Sequence, residues 1–237
     1  MKNQYFGDIN DYRKYGLLRL LTGQGEISSA ICWMLTPDDG RPDGHFTEYL
    51  RRPEKWRRYD PDLFDKLREL VILREVRNVT LAEDAGILHS ACFYNEILHD
   101  DRENRSRYFE TFWNVAEERD LIFFDPDNGL EVKSTPLGRK GSSKYLYWPE
   151  LVQAFSSGHS VLVYQHFPRE KRDAFIARRT KEIECRTGSR RVYAFRTSHV
   201  VFFLLPSKHQ MTALERNVLR VSANWGDEIW LWRSESV

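Results

Sequence analysis

Apolar positions recur along this chain in two rhythms. Helical spacing links Tyr12, Tyr15, Leu18 and Leu21, a first helix that follows Asp11 and stops at Gly23. It also places Leu63, Phe64, Leu67, Leu70 and Val71 on one face of a helix opening near Asp60, with Pro61 in its first turn. Further helices are expected over 105–119, with Tyr108, Phe109, Phe112, Trp113 and Ala116 inward, and over 149–155, 169–184 and 212–221. Between them lie short continuous apolar runs at 121–124 and 160–164, the kind found in strands buried on both faces. Strands are also expected over 27–35, closed by Pro37-Asp38-Asp39-Gly40, and over 192–195, 200–205 and 229–232. The stretch 41–59 is polar with aromatics among its cations, and 79–98 fits neither rhythm clearly.

Helices alternating with buried strands predict an α/β fold: a three-layer sandwich with a mostly parallel central sheet. The connections are too short for a second core, so residues 1–237 are expected to form one catalytic domain. No apolar run reaches 18 residues, and no membrane span is predicted. Residues 1–6 lack the apolar core of a secretory signal. The cysteines, Cys32, Cys92 and Cys185, are scattered and show neither a disulfide framework nor zinc-ligand spacing. A reduced cytoplasm is the expected compartment.

The net charge of +1 hides an asymmetry. Residues 133–220 hold 17 Lys and Arg against 6 Asp and Glu, a balance of +11 that leaves the rest of the chain at −10. Such a split predicts one face suited to a polyanion.

In sheets of this kind ligands bind beyond the carboxyl ends of the strands. Two expected strand ends turn abruptly polar: Asp125-Pro126-Asp127-Asn128-Gly129 and Gln165-His166-Phe167-Pro168-Arg169. A plain turn does not need the acids of the first. Carboxylates so placed orient water, act as general bases or stabilise a developing cation. In the second, His166 titrates near neutrality and suits proton donation to a leaving group. Gln165, beside Tyr164, suits a base edge, and Arg169, Lys171 and Arg172 suit phosphates. The N-terminal run from Gly7 to Gly16 adds Asp8, Asn10, Asp11, Tyr12, Arg13, Lys14 and Tyr15. Asn10 or Asp11 fits a helix N-cap, which leaves other acids unexplained, and the tyrosine–cation mixture suits a base and its backbone. The run Arg139-Lys140-Gly141-Ser142-Ser143-Lys144 offers phosphate donors without the spacing of a P-loop.

Together, Gly-Asp-Ile-Asn-Asp-Tyr-Arg-Lys-Tyr-Gly-Leu-Leu-Arg, Phe-Phe-Asp-Pro-Asp-Asn-Gly-Leu-Glu and Val-Tyr-Gln-His resemble a mostly uncharacterised bacterial family. Through it the chain resembles phage-defence DNA glycosylases, related in fold to uracil-DNA glycosylases, that excise glucosylated hydroxymethylcytosine. The resemblance implies that Asp125–Gly129 is similar to a water-activating Asp-Pro-aromatic-His-Gly loop, and that His166 corresponds to a later leaving-base histidine. Asp127 then stands where an aromatic crowds the pyrimidine 5-position, which makes room for a bulky substituent. Asn128 replaces the loop histidine, and His166 lies in Gln-His-Phe-Pro, not His-Pro-Ser-Pro.

The implied reaction is cofactor-free and metal-free hydrolysis of an N-glycosidic bond after base flipping. In it Asp125 or Asp127 stabilises an oxocarbenium-like sugar and orients water, while His166 or Asn10 bonds the departing base. Tyr12, Tyr15 or Tyr164 stacks on that base. Asp8, Lys14, Asn128 and Gln165 complete the substrate contacts, and Arg139, Lys140, Ser142, Ser143, Lys144, Arg169, Lys171 and Arg172 grip the DNA backbone. The expected partner is modified phage DNA, with no membrane and no obligate protein partner.

Three other classes compete. An S-adenosylmethionine-dependent methyltransferase is suggested by Asp-Pro-Asp-Asn, although Thr36-Pro37-Asp38-Asp39-Gly40 is a poor cofactor loop. A nuclease would use Asp8, Asp11, Asp125 and Asp127 as magnesium ligands. A nucleic-acid-binding module would do no chemistry.

Overall fold

The computed structural model describes residues 1–38, 40 and 44–232. The helices are α1 (Ile9–Leu21), α2 (Pro53–Trp56), α3 (Pro61–Arg68), α4 (Leu81–Asp84), α5 (Arg102–Ala116), α6 (Trp148–Ser156), α7 (Arg172–Thr187) and α8 (Met211–Trp225). The strands are β1 (Ser29–Cys32), β2 (Ala91–Tyr94), β3 (Leu121–Phe124), β4 (Gly129–Leu130), β5 (Tyr145–Leu146), β6 (Ser160–His166), β7 (Tyr193–Arg196), β8 (Val200–Leu205) and β9 (Trp230–Trp232). Seven strands form the central sheet in the order β2-β1-β3-β6-β8-β7-β9, and β4 and β5 pair separately.

The fold is α/β, as the alternation of elements predicts. From β2 through β6 the pairs are parallel, whereas β6–β8, β8–β7 and β7–β9 are antiparallel. A mostly parallel sheet therefore describes one half. The reason is local: three residues separate β7 from β8, room for a hairpin but not for a helical crossover.

Strand parity assigns each side chain to a layer. Ile31, Leu121, Phe123, Leu162, Tyr164, Phe202 and Leu204 join a core with α1, α3 and α8. Their neighbours Ala30, Cys32, Ile122, Phe124, Val161, Val163 and Phe203 join a second core with α5, α6 and α7. Sealing Phe123 and Phe124 on opposite faces stabilises the sheet by about 1.5–3 kcal/mol each.

The chain leaves β1 for β2 on one side and later returns to β3 on the other, so the connections diverge between β1 and β3. Divergence of this kind opens a crevice at the carboxyl ends of the two strands. Cys32 pairs with Phe124 and Phe124 with Val163, which brings the residues after β1 and β3 level with the end of β6. The segment 79–98 resolves into α4 and the edge strand β2, whose Ala91, Cys92 and Phe93 are only half-buried. The expected turn at 37–40 includes Asp39, which lies outside the described residues.

Candidate functional site

Parity selects which side chains meet beyond the strand ends. Asp125 continues the face of Leu121 and Phe123, and His166 that of Leu162 and Tyr164, both toward α1. On that side α1 presents Lys14. Its Nζ lies 2.7 Å from Asp11 Oδ1 and 2.7 Å from Asp125 Oδ2, and its side chain is 2% exposed. The Met1 amino group donates to the Asp125 carbonyl at 3.0 Å and the Met34 carbonyl at 3.3 Å, and pairs with Asp127 Oδ1 at 2.8 Å. Thr36 Oγ1 donates to Asp127 Oδ2 at 2.8 Å. Residues following β1 thus hold the bend that follows β3.

The cap of α1 is Asp8, in place of the expected Asn10 or Asp11. Asp8 Oδ1 accepts from the amides of Asn10 at 2.8 Å and Asp11 at 3.0 Å. Asp11 Oδ2 in turn accepts from the Gly7 amide at 3.0 Å, a reciprocal arrangement that fixes the helix entry.

A cavity of about 310 Å³ opens among these groups. Its walls include Lys2, Asp8, Asn10, Asp11, Lys14, Asp125, Asp127, Asn128, Lys144, Tyr164 and His166, with the exposed Phe46 at its mouth. The N-terminal run, the acidic bend and the tip of β6 therefore meet around one space. Tyr164 Oη and His166 Nε2 share a 3.1 Å hydrogen bond, and Asn10 Oδ1 is buried without a partner.

Electrostatics separate the acids. Burial, reinforced by the neighbouring Asp11 charge, pushes the Asp8 carboxyl up to about 7. Burial likewise raises Asp11, against the pull of Lys14. Asp127 falls below the usual carboxylate range: burial opposes this, but the N-terminal ammonium and Thr36 outweigh it. Lys14 is held above the usual lysine range because the attraction of Asp11 and Asp125 exceeds the cost of burial. Burial keeps the Tyr164 phenol protonated, with the Asp125 charge adding to the effect. The protein around the His166 ring lowers its pKa by desolvation, against the pull of Asp125 and Asp127, although one edge reaches solvent. At neutral pH the cavity accordingly joins an ionised Asp127 to an Asp8 raised toward neutrality and a neutral imidazole.

Several residues expected to touch substrate do not line this cavity. Tyr12 is fully buried, stacked on Tyr49, with its hydroxyl donating to the Trp56 carbonyl at 2.8 Å. Tyr15 is equally buried and packs against Phe6 and Trp33. Gln165 points to the opposite face of the sheet. There its Oε1 accepts from the Leu130 amide at 2.8 Å and its Nε2 donates to the Asn128 carbonyl at 2.9 Å. Gly129, at φ +115°, accommodates that amide, since a Cβ there would lie 2.3 Å from Gln165 Cδ. Gln165 is a brace for the acidic bend, not a reader of bases.

The 139–144 run is a latch as well. Asp100 accepts from the amides of Gly141 and Ser143, both at 2.8 Å, and Ser142 Oγ donates to the Asp100 carbonyl at 2.9 Å. Ser142 and Ser143 are buried and have spent their donors on the chain itself. Arg139 and Lys140 are exposed, and only Lys144 reaches the cavity. Along α7, Arg178 pairs with Glu170 and Glu182, and Arg179 with Glu182, so part of the local positive excess is neutralised. Arg169, Lys171 and Arg172 stand exposed just past His166, with Arg172 over the Phe167 ring.

Sequence reasoning missed Met1, Lys2, Thr36 and Phe46 as parts of this site. Their place follows from the β1–β3 pairing, for which no local pattern is a signal. Asp8, Asp11, Asp125 and Asp127 do share the cavity, but the Lys14 ammonium sits between Asp11 and Asp125. No group of three or more His, Cys, Asp or Glu with metal-holding geometry occurs among the described residues. No described helix is long and apolar enough to cross a membrane. No protein-family model matches the chain, and no curated protein does either.

Proposed function

We propose that this chain is a DNA glycosylase of the uracil-DNA-glycosylase-like kind, acting in antiphage defence. It hydrolyses the N-glycosidic bond of a modified cytosine, with glucosylated hydroxymethylcytosine as the favoured base, and leaves an abasic site. The observation that carries this reading is the meeting of Asp125 and Asp127 with Asp8, Asn10 and His166 around one cavity at the sheet's switch point. The cavity lies within the usual size range of small-ligand sites.

The flipped nucleotide enters with its sugar toward the acidic bend. As the bond from C1′ to the base lengthens, positive charge on the sugar meets the Asp127 carboxylate, held ionised by its ammonium partner. Asp125, oriented by Lys14, directs water to C1′. Water adds to C1′ and gives up a proton to Asp125, which passes it to solvent while Asp8 is reprotonated from solvent. The N-glycosidic bond breaks with its electron pair moving to the base, and the base leaves with a proton. Asp8 in its acid form supplies that proton, and Asn10 Oδ1 accepts from an exocyclic amine. Asp127, which stands where an aromatic crowds the pyrimidine 5-position in the family the motifs resemble, leaves space for the substituent. Lys144, Arg169, Lys171 and Arg172 contact phosphates.

The test is mass spectrometry of small molecules released when the purified protein meets glucosylated phage DNA. Free glucosylated hydroxymethylcytosine, with a matching count of abasic sites, is the expected result. Intact DNA with no released base overturns the proposal. Cleavage abolished by chelation would favour the nuclease, and methyl transfer from S-adenosylmethionine the methyltransferase.

A further inference from the structure

We infer that Phe46 is a stacking platform for a nucleobase at the cavity mouth, a role that rests on the nucleic-acid reading of the site. Its ring is 66% exposed, and of the large apolar side chains exposed among the described residues it is the one lining this cavity. An isolated surface phenylalanine needs no explanation. This one is held in place by its surroundings.

Three contacts build the segment that carries it. The Phe46 carbonyl accepts from the Ile9 amide at 3.1 Å, so the backbone of Phe46 completes the first turn of α1 beside the Asp8 cap. Arg77 clamps the preceding residues to the N-terminal run: its Nε donates to the Phe6 carbonyl at 2.9 Å, its Nη1 meets His45 Nδ1 at 3.0 Å, and its Nη2 donates to the Gly44 carbonyl. Gly44, at φ +82°, lies against the Tyr5 ring so closely that a Cβ would sit 2.1 Å from Tyr5 Cδ1. The backbone is thus fixed on both sides of a ring left open to solvent.

The surroundings select the ligand chemistry. Lys2, Asp8 and Lys144 line the same cavity beside the Asn10 amide, so the ring stands among charged and polar groups and not within an apolar patch. A lipid chain or an apolar protein surface would leave those charges desolvated. A nucleotide strand matches both features, because its bases offer planar faces to an aromatic and its phosphates offer charge to Lys144. Phe46 stands at the mouth, and it therefore stacks on a base flanking the one drawn inside.

The experiment compares Phe46→Ala, Phe46→Trp and the unaltered protein for binding a short single-stranded oligonucleotide and its fully abasic counterpart. Removal of a base–aromatic stack is expected to weaken binding of the base-bearing strand by about 10-fold. Phe46→Trp should bind it as tightly as the unaltered protein, and binding of the abasic strand should be the same for all three. Equal affinity of Phe46→Ala for the base-bearing strand overturns the inference, as does equal loss on both strands or no binding by the unaltered protein. The readout is affinity, so a failure to release base would sink the hydrolytic reading and leave this result standing.

Discussion

Two polar stretches of this chain, 8–14 and 139–144, carry similar side chains to different ends. Both offer backbone amides to a carboxylate, buried in Asp8 and half-buried in Asp100, and both sit beside a buried cation bridged to an acid. In the 139–144 latch the account closes within the chain: Asp100 takes the amides, and Arg105 binds Glu150 at 2.6 Å while donating to the Ser142 and Tyr145 carbonyls. Around 8–14 it does not close. Burial and the Asp11 charge outweigh the pull of Lys14 on Asp8, Asn10 Oδ1 has no donor among the described residues, and both residues line a cavity. A buried polar group whose partners are all internal is a fastening, whereas one left short beside open space awaits a ligand.

The largest effect comes from removing each cation. Lys14→Met and Arg105→Met each leave buried acids uncompensated, and each is expected to cost about 3–5 kcal/mol in denaturant unfolding. They should part in activity. Per folded molecule, Lys14→Met should lower base release about 100-fold, while Arg105→Met leaves it within about twofold. Equal losses in activity would erase the distinction between latch and site.

Asp8→Asn gives a pH-dependent effect that sharpens the comparison. The folded Asp8 carboxyl titrates near 7, above the 3.8 of an ordinary aspartate, so the folded state binds more protons between those values. Stability from this group is full below the unfolded value and lost as pH rises through the folded one. Asparagine caps a helix as well as aspartate does, without the buried charge. The variant should therefore match the unaltered protein near pH 4 and exceed its stability by about 4 kcal/mol at pH 8. Its rate should be lower and lack the decline above pH 7 expected of a carboxylic acid donor. An unchanged pH profile would remove Asp8 from proton transfer.

Much of the sheet was legible in the chain because Leu121–Phe124 and Val200–Leu205 are apolar at every position, the mark of strands covered on both faces. β2 was not, because half-buried Ala91, Cys92 and Phe93 at an edge give no such run. The acidic bend and His166 stood out as polar breaks after apolar strands. The helical spacing that marked α1 had already put Tyr12 and Tyr15 on its apolar face, and burial prevailed over the stacking role assigned to them. Gln165 lies one position from His166 and so faces the other layer, a consequence of strand parity. The partnership of Asp100 with Gly141 and Ser143 spans about 40 residues, and that of Lys14 with Asp125 spans 111. Pairings at such distances depend on strand order, which local patterning does not encode.

The central claim is that the bend after β3 supplies the charge that meets the sugar. Single-turnover base release from glucosylated DNA, measured for Asp125→Asn and Asp127→Asn alongside oligonucleotide affinity and thermal unfolding, tests it most directly. The account predicts that folded Asp127→Asn binds DNA normally and releases base at least about 100-fold more slowly, with Asp125→Asn similarly impaired. Full release rates in both variants would contradict it.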